Sequence, residues 1–462
     1  MEGSTAKPVA KELDAILDSI PVGFFHYRLL FMCGLCFMAD GLEVNLLAYI
    51  SQCAGDEWNL SNEEISSIAG IVFVGIMTGN FVFGILADRI GRRKSFLISC
   101  VLMSVFGFIS GASPNVAALI SFRAIAGFGV GGGSIPFDLL AEFMPISHRG
   151  QFGIYIELFW TFGSMLVAGL AWGTLDSGGW HNLAYYTAIP VTITCIVSMF
   201  YLPESPRWLL LKGHKEEAEK VIRDAALTNG VNLPPFTLRP LGESVEHESK
   251  PGYKDLFATA YLRRVTFFLG SLFTIYGFTY YGMVLFVGRL FTVDDENDGS
   301  AGTCDFDYSD IFVNTCAEIV GVLLCALMLS KSGRVTTLEA TFFFAGLGVL
   351  LLCIPMGPGG VTFFAMVSRA AIMAATNVTW VITPELYPTE LRTIAHSFAS
   401  AISKLAAFLC PYLVYSSLDI AGVGAILGVL NLIACGCASM LPETGGTPHD
   451  LYMYTMHQPL II

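Results

Sequence analysis

Charge is scarce in this sequence: only 14% of its 462 residues are Asp, Glu, Lys or Arg, where a soluble globular chain carries about 25%. The charge that is present sums to −13, which argues against nucleic acid as a partner, because phosphate backbones select basic surfaces. The twelve Cys form no paired CxxC motifs at zinc-ribbon spacing, and the eight His form neither HExxH nor a cluster, so no metal centre is legible. No Ser/His/Asp arrangement stands out, and the Gly-rich run Gly127–Gly133 follows no β-strand, so neither an enzyme nor a dinucleotide cofactor is indicated. Met1-Glu2-Gly3 opens a polar, acidic start in which no cleavable signal peptide is expected.

What is abundant is apolar: 54% of residues are hydrophobic, with 35 Phe and 47 Gly, as suits lipid-facing surface and close helix packing. A bilayer core needs roughly 20 apolar residues of helix, and twelve segments qualify. They are 26–50, 65–87, 95–113, 116–140, 150–174 and 183–202, then 264–288, 309–331, 337–356, 359–384, 394–416 and 420–441. We number them spans 1 to 12. Residues 1–25 form a lead-in, 26–202 a first six-helix bundle, 203–263 a linker with short helices, 264–441 a second bundle and 442–462 a tail. The basic residues give an orientation. Arg89, Arg92, Arg93 and Lys94 crowd the turn after span 2, and the linker carries nine more Lys and Arg, with Arg264 directly after it. Segments 51–64 and 291–308, of opposite parity, carry only Asp and Glu. The positive-inside rule then puts both termini in the cytoplasm. Cys53 and Cys304 fall in expected outside loops; spacing cannot fix whether they pair. Asn59-Leu-Ser61 is a glycosylation sequon on the same side.

The two halves repeat weakly at a period near 240. Gly91-Arg92 recurs as Gly333-Arg334, Arg123-Ala as Arg369-Ala, Glu142-xx-Pro145-xxx-Arg149 as Glu385-xx-Pro388-xxx-Arg392, and Pro203-Glu-Ser as Pro442-Glu-Thr. Six spans repeated in parallel imply an all-α membrane protein of two pseudo-symmetric six-helix bundles, with a site at their interface.

Gly84-Ile-Leu-Ala-Asp88-Arg89-Ile-Gly91-Arg92-Arg93-Lys94 resembles the major facilitator superfamily signature between helices 2 and 3. Arg123-xxx-Gly127-x-Gly129-x-Gly131-Gly132 resembles its helix 4 motif, and the Pro-Glu-Ser and Pro-Glu-Thr marks resemble those of sugar porters. More narrowly, Gly23-Phe-Phe-His-Tyr27, Met38-Ala-Asp40-Gly-Leu-Glu43, Ala141-Glu-Phe-Met-Pro145, Ile156-Glu-Leu-Phe-Trp160, Tyr280-Tyr-Gly282 and Thr383-Pro-Glu-Leu-Tyr-Pro388 are similar to the synaptic-vesicle-two-related branch, which includes bacterial niacin transporters and borders the organic ion transporters. The resemblance implies the major facilitator fold and a monomeric, multi-pass transporter in a plasma, vesicle or organelle membrane. Two departures are Ser330, where the second loop signature often has Asp, and Gly445, where sugar porters usually have Lys.

Ionised groups at mid-bilayer are costly and need partners or water. Asp40 and Glu43 are three apart on span 1 and share a face; a carboxylate pair in a low-dielectric cavity is suited to binding and releasing a proton. Arg123 lies at similar depth on span 4. By resemblance to proton-coupled sugar porters, Asp40 is the proton site and Arg123 its switch partner; a permanent structural pair or a solute-binding role remains open. Glu318, Arg369 and Lys404 also lie mid-span. Either cation can hold a solute carboxylate, Arg in bidentate manner, or pair with Glu318. Glu157 reads as a gate or packing contact. Phe159, Trp160, Tyr276, Tyr280, Tyr281 and Trp380 are candidates to stack on a flat ring, with Trp160 and Tyr281 foremost because their polar tips need partners when buried.

At the inner span ends stand Asp88, Arg89, Gly91, Arg92, Glu142, Arg149, Glu204, Arg207, Glu385, Arg392 and Glu443. The resemblance makes them a cytoplasmic gate of inter-half salt bridges; charges at helix ends also simply mark the membrane boundary. Taken together, the expectation is a secondary active transporter that moves a small organic solute (organic ion, aromatic acid or sugar) with protons by alternating access. A facilitative uniporter and a non-transporting receptor are the alternatives.

Overall fold

The computed structural model describes residues 9–145, 148–238, 252–292, 304–388 and 391–444. Among these, eleven helices are long and apolar enough to cross a membrane. One of them, His148–Tyr201, has 54 residues and would reach about 80 Å at 1.5 Å per residue, more than two bilayer cores. Within it Gly179 takes φ 66° and ψ 178°, which only glycine adopts freely, so the run is two helices joined at one residue. Twelve spans result. They are Phe24–Glu57, Asn62–Ile90, Arg92–Gly111, Val116–Phe143, the two sides of Gly179, Ala260–Leu290, Tyr308–Lys331, Arg334–Leu352, Pro358–Leu386, Arg392–Val414 and Ile420–Ala438. The expected major facilitator arrangement is therefore present, with both ends of the bundle pair on one face, here the terminal face; the other is the far face.

Span 4 breaks where its glycines cluster. Val116–Val130 and Ser134–Phe143 are separate helical segments with Gly131–Gly133 as the turn between them. Pro136 lies in the first turn of the second segment, where its missing N–H costs nothing.

In the first half, span 1 packs on the span 5–6 helix and span 4 on spans 2 and 3; in the second, span 7 packs on spans 11 and 12, and spans 9 and 8 on span 10. The halves meet where span 2 lies on span 11 and span 5 on span 8. Ser51 meets the Tyr415 hydroxyl at 3.0 Å, Ser66 donates to the Pro411 carbonyl at 3.2 Å, and Tyr308 donates to Asp176 at 2.9 Å. A disulfide joins Cys53 to Cys304, so the pairing that spacing left open is made. Every hydrogen bond, ring contact and disulfide described between the two bundles lies at mid-depth or toward the far face. The molecule is thus sealed on the far face.

On the terminal face, strand β1 (Val9–Lys11) pairs in parallel with strand β2 (Phe236–Leu238). Leu13, Ile16, Leu17 and Ile20 bury against Leu209, Leu210, Ile222 and Phe236. The front of the expected linker thus joins the lead-in as a cap on the first half. Its rear, Tyr253–Phe257, belongs to the second: Leu256 accepts from Thr266, and the Tyr253 and Phe257 rings meet Phe398.

Candidate functional site

The expected switch pair needs a correction. Arg123 bonds to Glu43, not Asp40: Nη1 lies 2.9 Å from Glu43 Oε2, and Nη2 donates to the Glu43 carbonyl at 3.2 Å. Both side chains are buried. Glu43, a turn farther along span 1, sits at the guanidinium's depth. Asp40 turns instead to the break in span 4, where a Cβ on residue 133 would overlap its Oδ2. Gly133 itself has ordinary helical φ and ψ, so the glycine is there for space and not for backbone freedom. Gly133→Ala is expected to lower stability by about 1–3 kcal/mol through overpacking. Thermal unfolding in detergent checks this, and adding Asp40→Ala should restore the midpoint, because the two losses share one contact.

The second half holds its own buried pair. Arg369 Nε lies 2.7 Å from Glu318 Oε1. Tyr280 donates to that same oxygen at 3.0 Å, and Trp160 of the first half donates to the Tyr280 hydroxyl at 2.6 Å. Arg369 Nη2 reaches across to Asn45 Oδ1 at 3.0 Å, while Asn45 donates to Ser164 at 2.8 Å. One polar chain therefore crosses between the bundles twice, at mid-depth. Beside it lies a cavity of about 20 Å³ lined by Asn45, Ser164, Asn314, Thr315 and Arg369, space for a single water. Buried charges this far from solvent are tolerated only with partners, and the chain supplies them.

Lys404 differs. Its ammonium bonds the Tyr281 hydroxyl and lies 4.6 Å from that ring's centroid. No described carboxylate stands within ion-pair distance, but Asp40 is within electrostatic reach from the opposite half. Of the two cations expected to hold a solute acid, Arg369 is engaged by Glu318 and Lys404 is not. Glu157 is half-buried and lies within electrostatic reach of Glu318, a like charge across the interface.

The aromatic candidates divide. Tyr276 accepts from Trp380 at 3.0 Å, and Tyr281 packs on Phe73 with centroids 4.7 Å apart. Phe159 packs within its own half, on Phe31 and over Gly34. Four residues escaped sequence reading. Asn45 and Ser164 carry no charge to betray them. His396 stacks on Trp380 with ring centroids 4.3 Å apart. Asp138, near the expected end of span 4, is exposed among Arg92, Glu142 and Asp88; the acid spacing 138–142 was its only signal.

Among the described residues, the printed contacts of the expected gate residues lie within each half in this conformation. Arg92 pairs with Asp88 at 2.7 Å and with Glu142 at 3.5 Å, and Arg334 with Glu385 at 3.3 Å. Glu204 accepts from the Arg92 and Arg93 amides at 2.8 and 3.2 Å; Glu443 accepts from those of Arg334 and Val335 at 2.6 and 3.1 Å. The repeated Pro-Glu marks thus cap the N-termini of spans 3 and 9, where a carboxylate meets orphan donors and the helix dipole. Gly91, at φ 107°, makes room for the Glu204 carboxylate. Arg207 pairs with Asp14 of the lead-in at 2.6 Å. Arg149 and Arg392 donate to the carbonyls of Met144 and Tyr387, and Arg89 is exposed. Ser330's side chain and Gly445 lie outside the described residues.

Comparison with known proteins agrees with this architecture. A family model described as "Sugar (and other) transporter" matches residues 29–455. The putative transporter svop-1 of Caenorhabditis elegans is 33% identical over 437 residues, covering 90% of this chain and 84% of that protein. The organic cation/carnitine transporter 7 of Arabidopsis thaliana is 30% identical, covering 94% and 95%. The synaptic vesicle 2-related protein of Rattus norvegicus is 29% identical, covering 94% and 81%. Among solved structures, a partially occluded inward-open form of the xylose transporter XylE from E. coli superposes with a TM-score of 0.73 at 19% identity, covering 92% and 99%.

Proposed function

The chain belongs to the sugar (and other) transporter family of the major facilitator superfamily, and from that premise we propose that it moves a small organic ion across a membrane by alternating access, coupled to protons. One observation carries this reading: a carboxylate and an ammonium, Asp40 and Lys404, lie within electrostatic reach of each other from opposite halves at mid-depth, and neither forms an ion pair with any described residue. Groups of net charge suit a charged solute better than a sugar, whose hydroxyls ask for neutral donors and acceptors. The name of the Arabidopsis relative, an organic cation/carnitine transporter, supports the same class.

In this mechanism protonation of Asp40 cancels its attraction for Lys404. The ammonium is then free to receive an anionic group of the solute, with Tyr281 holding it in place. The Arg369–Asn45 and Trp160–Tyr280 bonds hold the halves together in the far-sealed state and part when the far face opens. The Arg92 and Arg334 clusters then exchange partners across the interface on the terminal face. The basic loops support a cytoplasmic terminal face. The Cys53–Cys304 bond supports a far face in an oxidising compartment. The synaptic vesicle 2-related names support a vesicle membrane.

The test is uptake of a panel of labelled cations, anions, zwitterions and sugars into proteoliposomes, with and without an inward proton gradient, on protein with its disulfide intact and on protein with it reduced. Gradient-stimulated uptake of a charged solute is expected. Uptake of sugars alone, or uptake indifferent to the gradient, defeats the proposal.

A further inference from the structure

The contacts described on the far face are hydrogen bonds and ring contacts, which can break and re-form, with one exception among the described residues. Cys53 belongs to span 1 in the first half, and Cys304 precedes span 8 in the second. Neither end has much slack. Cys53 is buried within a helix. On the other side Phe306 bridges Thr292 in antiparallel fashion, and the Asp307 amide donates to Phe291 at 2.8 Å, which fixes this segment to the end of span 7. Two residues lead from Cys304 to Phe306, so fully extended chain adds about 7 Å at most. The neighbourhood offers further grip: the Tyr49 and Phe306 rings meet at 5.5 Å, and Thr292 donates to Gln52 at 3.3 Å.

We propose that the Cys53–Cys304 disulfide is a redox latch. Intact, it holds the two halves in the far-sealed state; reduction by a small thiol frees the far face to open. This rests on the alternating-access reading, because only a protein whose halves must part there is governed by a bond across them. The chemistry balances with two thiols as reductant. A thiolate attacks Sγ of half-buried Cys304, and the Cys53 thiolate leaves and takes a proton. A second thiolate then attacks the small-molecule sulfur of this mixed disulfide, and the Cys304 thiolate leaves and takes a proton. The products are two protein thiols and one small-molecule disulfide.

Ser66 reports the opening, since it lies between spans 2 and 11 with its hydroxyl on the Pro411 carbonyl. The full chain carrying Ser66→Cys is reconstituted in vesicles and exposed to a membrane-impermeant maleimide, and modification at position 66 is read by peptide mass. Mild reduction with dithiothreitol is expected to raise the rate at least fivefold, reoxidation to return it, and Cys53→Ser/Cys304→Ser to label fast without reductant. A rise below fivefold on reduction overturns the latch. So does a rise that reoxidation fails to reverse, since it reports unfolding. Solute exchange in the same vesicles is read separately: faster labelling with no exchange of any solute leaves the latch standing and defeats the transporter reading.

Discussion

Glu43→Gln is expected to destabilise the protein by about 3–5 kcal/mol, the cost of leaving a buried charge without its partner. Arg123 is wholly buried, and its two described acceptors are the side chain and the carbonyl of Glu43. Removing the carboxylate charge leaves a buried guanidinium with no described anion in ion-pair contact to offset its desolvation. The double variant Glu43→Leu/Arg123→Leu separates stability from activity. Replacing both members of a buried pair with apolar side chains is often neutral or stabilising, so thermal unfolding in detergent should return close to that of the native chain. Gradient-driven uptake by this folded variant is expected to fall more than tenfold if the pair opens during the cycle. Uptake at the native level would show that Glu43–Arg123 is a fixed brace.

Asp40→Asn is expected to abolish gradient-driven uptake while leaving solute counterflow intact. The amide keeps the size that fits against Gly133 but has no proton to exchange. Counterflow asks only that the loaded carrier change face, and a permanently neutral residue mimics the protonated state in which it does so. Undiminished gradient-driven uptake would remove Asp40 from the coupling mechanism. Loss of both activities would instead place it in solute binding.

The spans were legible because hydropathy acts over twenty residues at a time and tolerates local error. Their ends were less so. Span 1 was expected to stop at Ile50, where the apolar run ends, yet the helix continues through Ser51 and Gln52 to Glu57; Ser51, Gln52 and Cys53 meet the second half, so polarity did not mark the boundary. The break in span 4 has a local cause, three glycines in succession. The partner of Arg123 was not legible, since Asp40 and Glu43 share a face and only the depth of the guanidinium decides between them. Asn45 was invisible for another reason: its value lies in reaching Arg369 across the interface, and no pattern within one span records a contact with another. The Pro-Glu repeats were read as gate charges, but their first task is local, at helix ends that any sequence of this pattern would need to cap.

The parallel pairing of Val9–Lys11 with Phe236–Leu238 also bears on how the chain is born. Both strands, and the whole of the first bundle they cap, precede span 7, which begins at Ala260. A ribosome that has just released β2 has therefore delivered everything the first bundle needs to close over its own lead-in. Domains generally fold as units and N-terminal ones first during synthesis, so the first bundle can finish as a unit while the second is still being made. The cap then works as a seal of completion on the first half before the second arrives to dock.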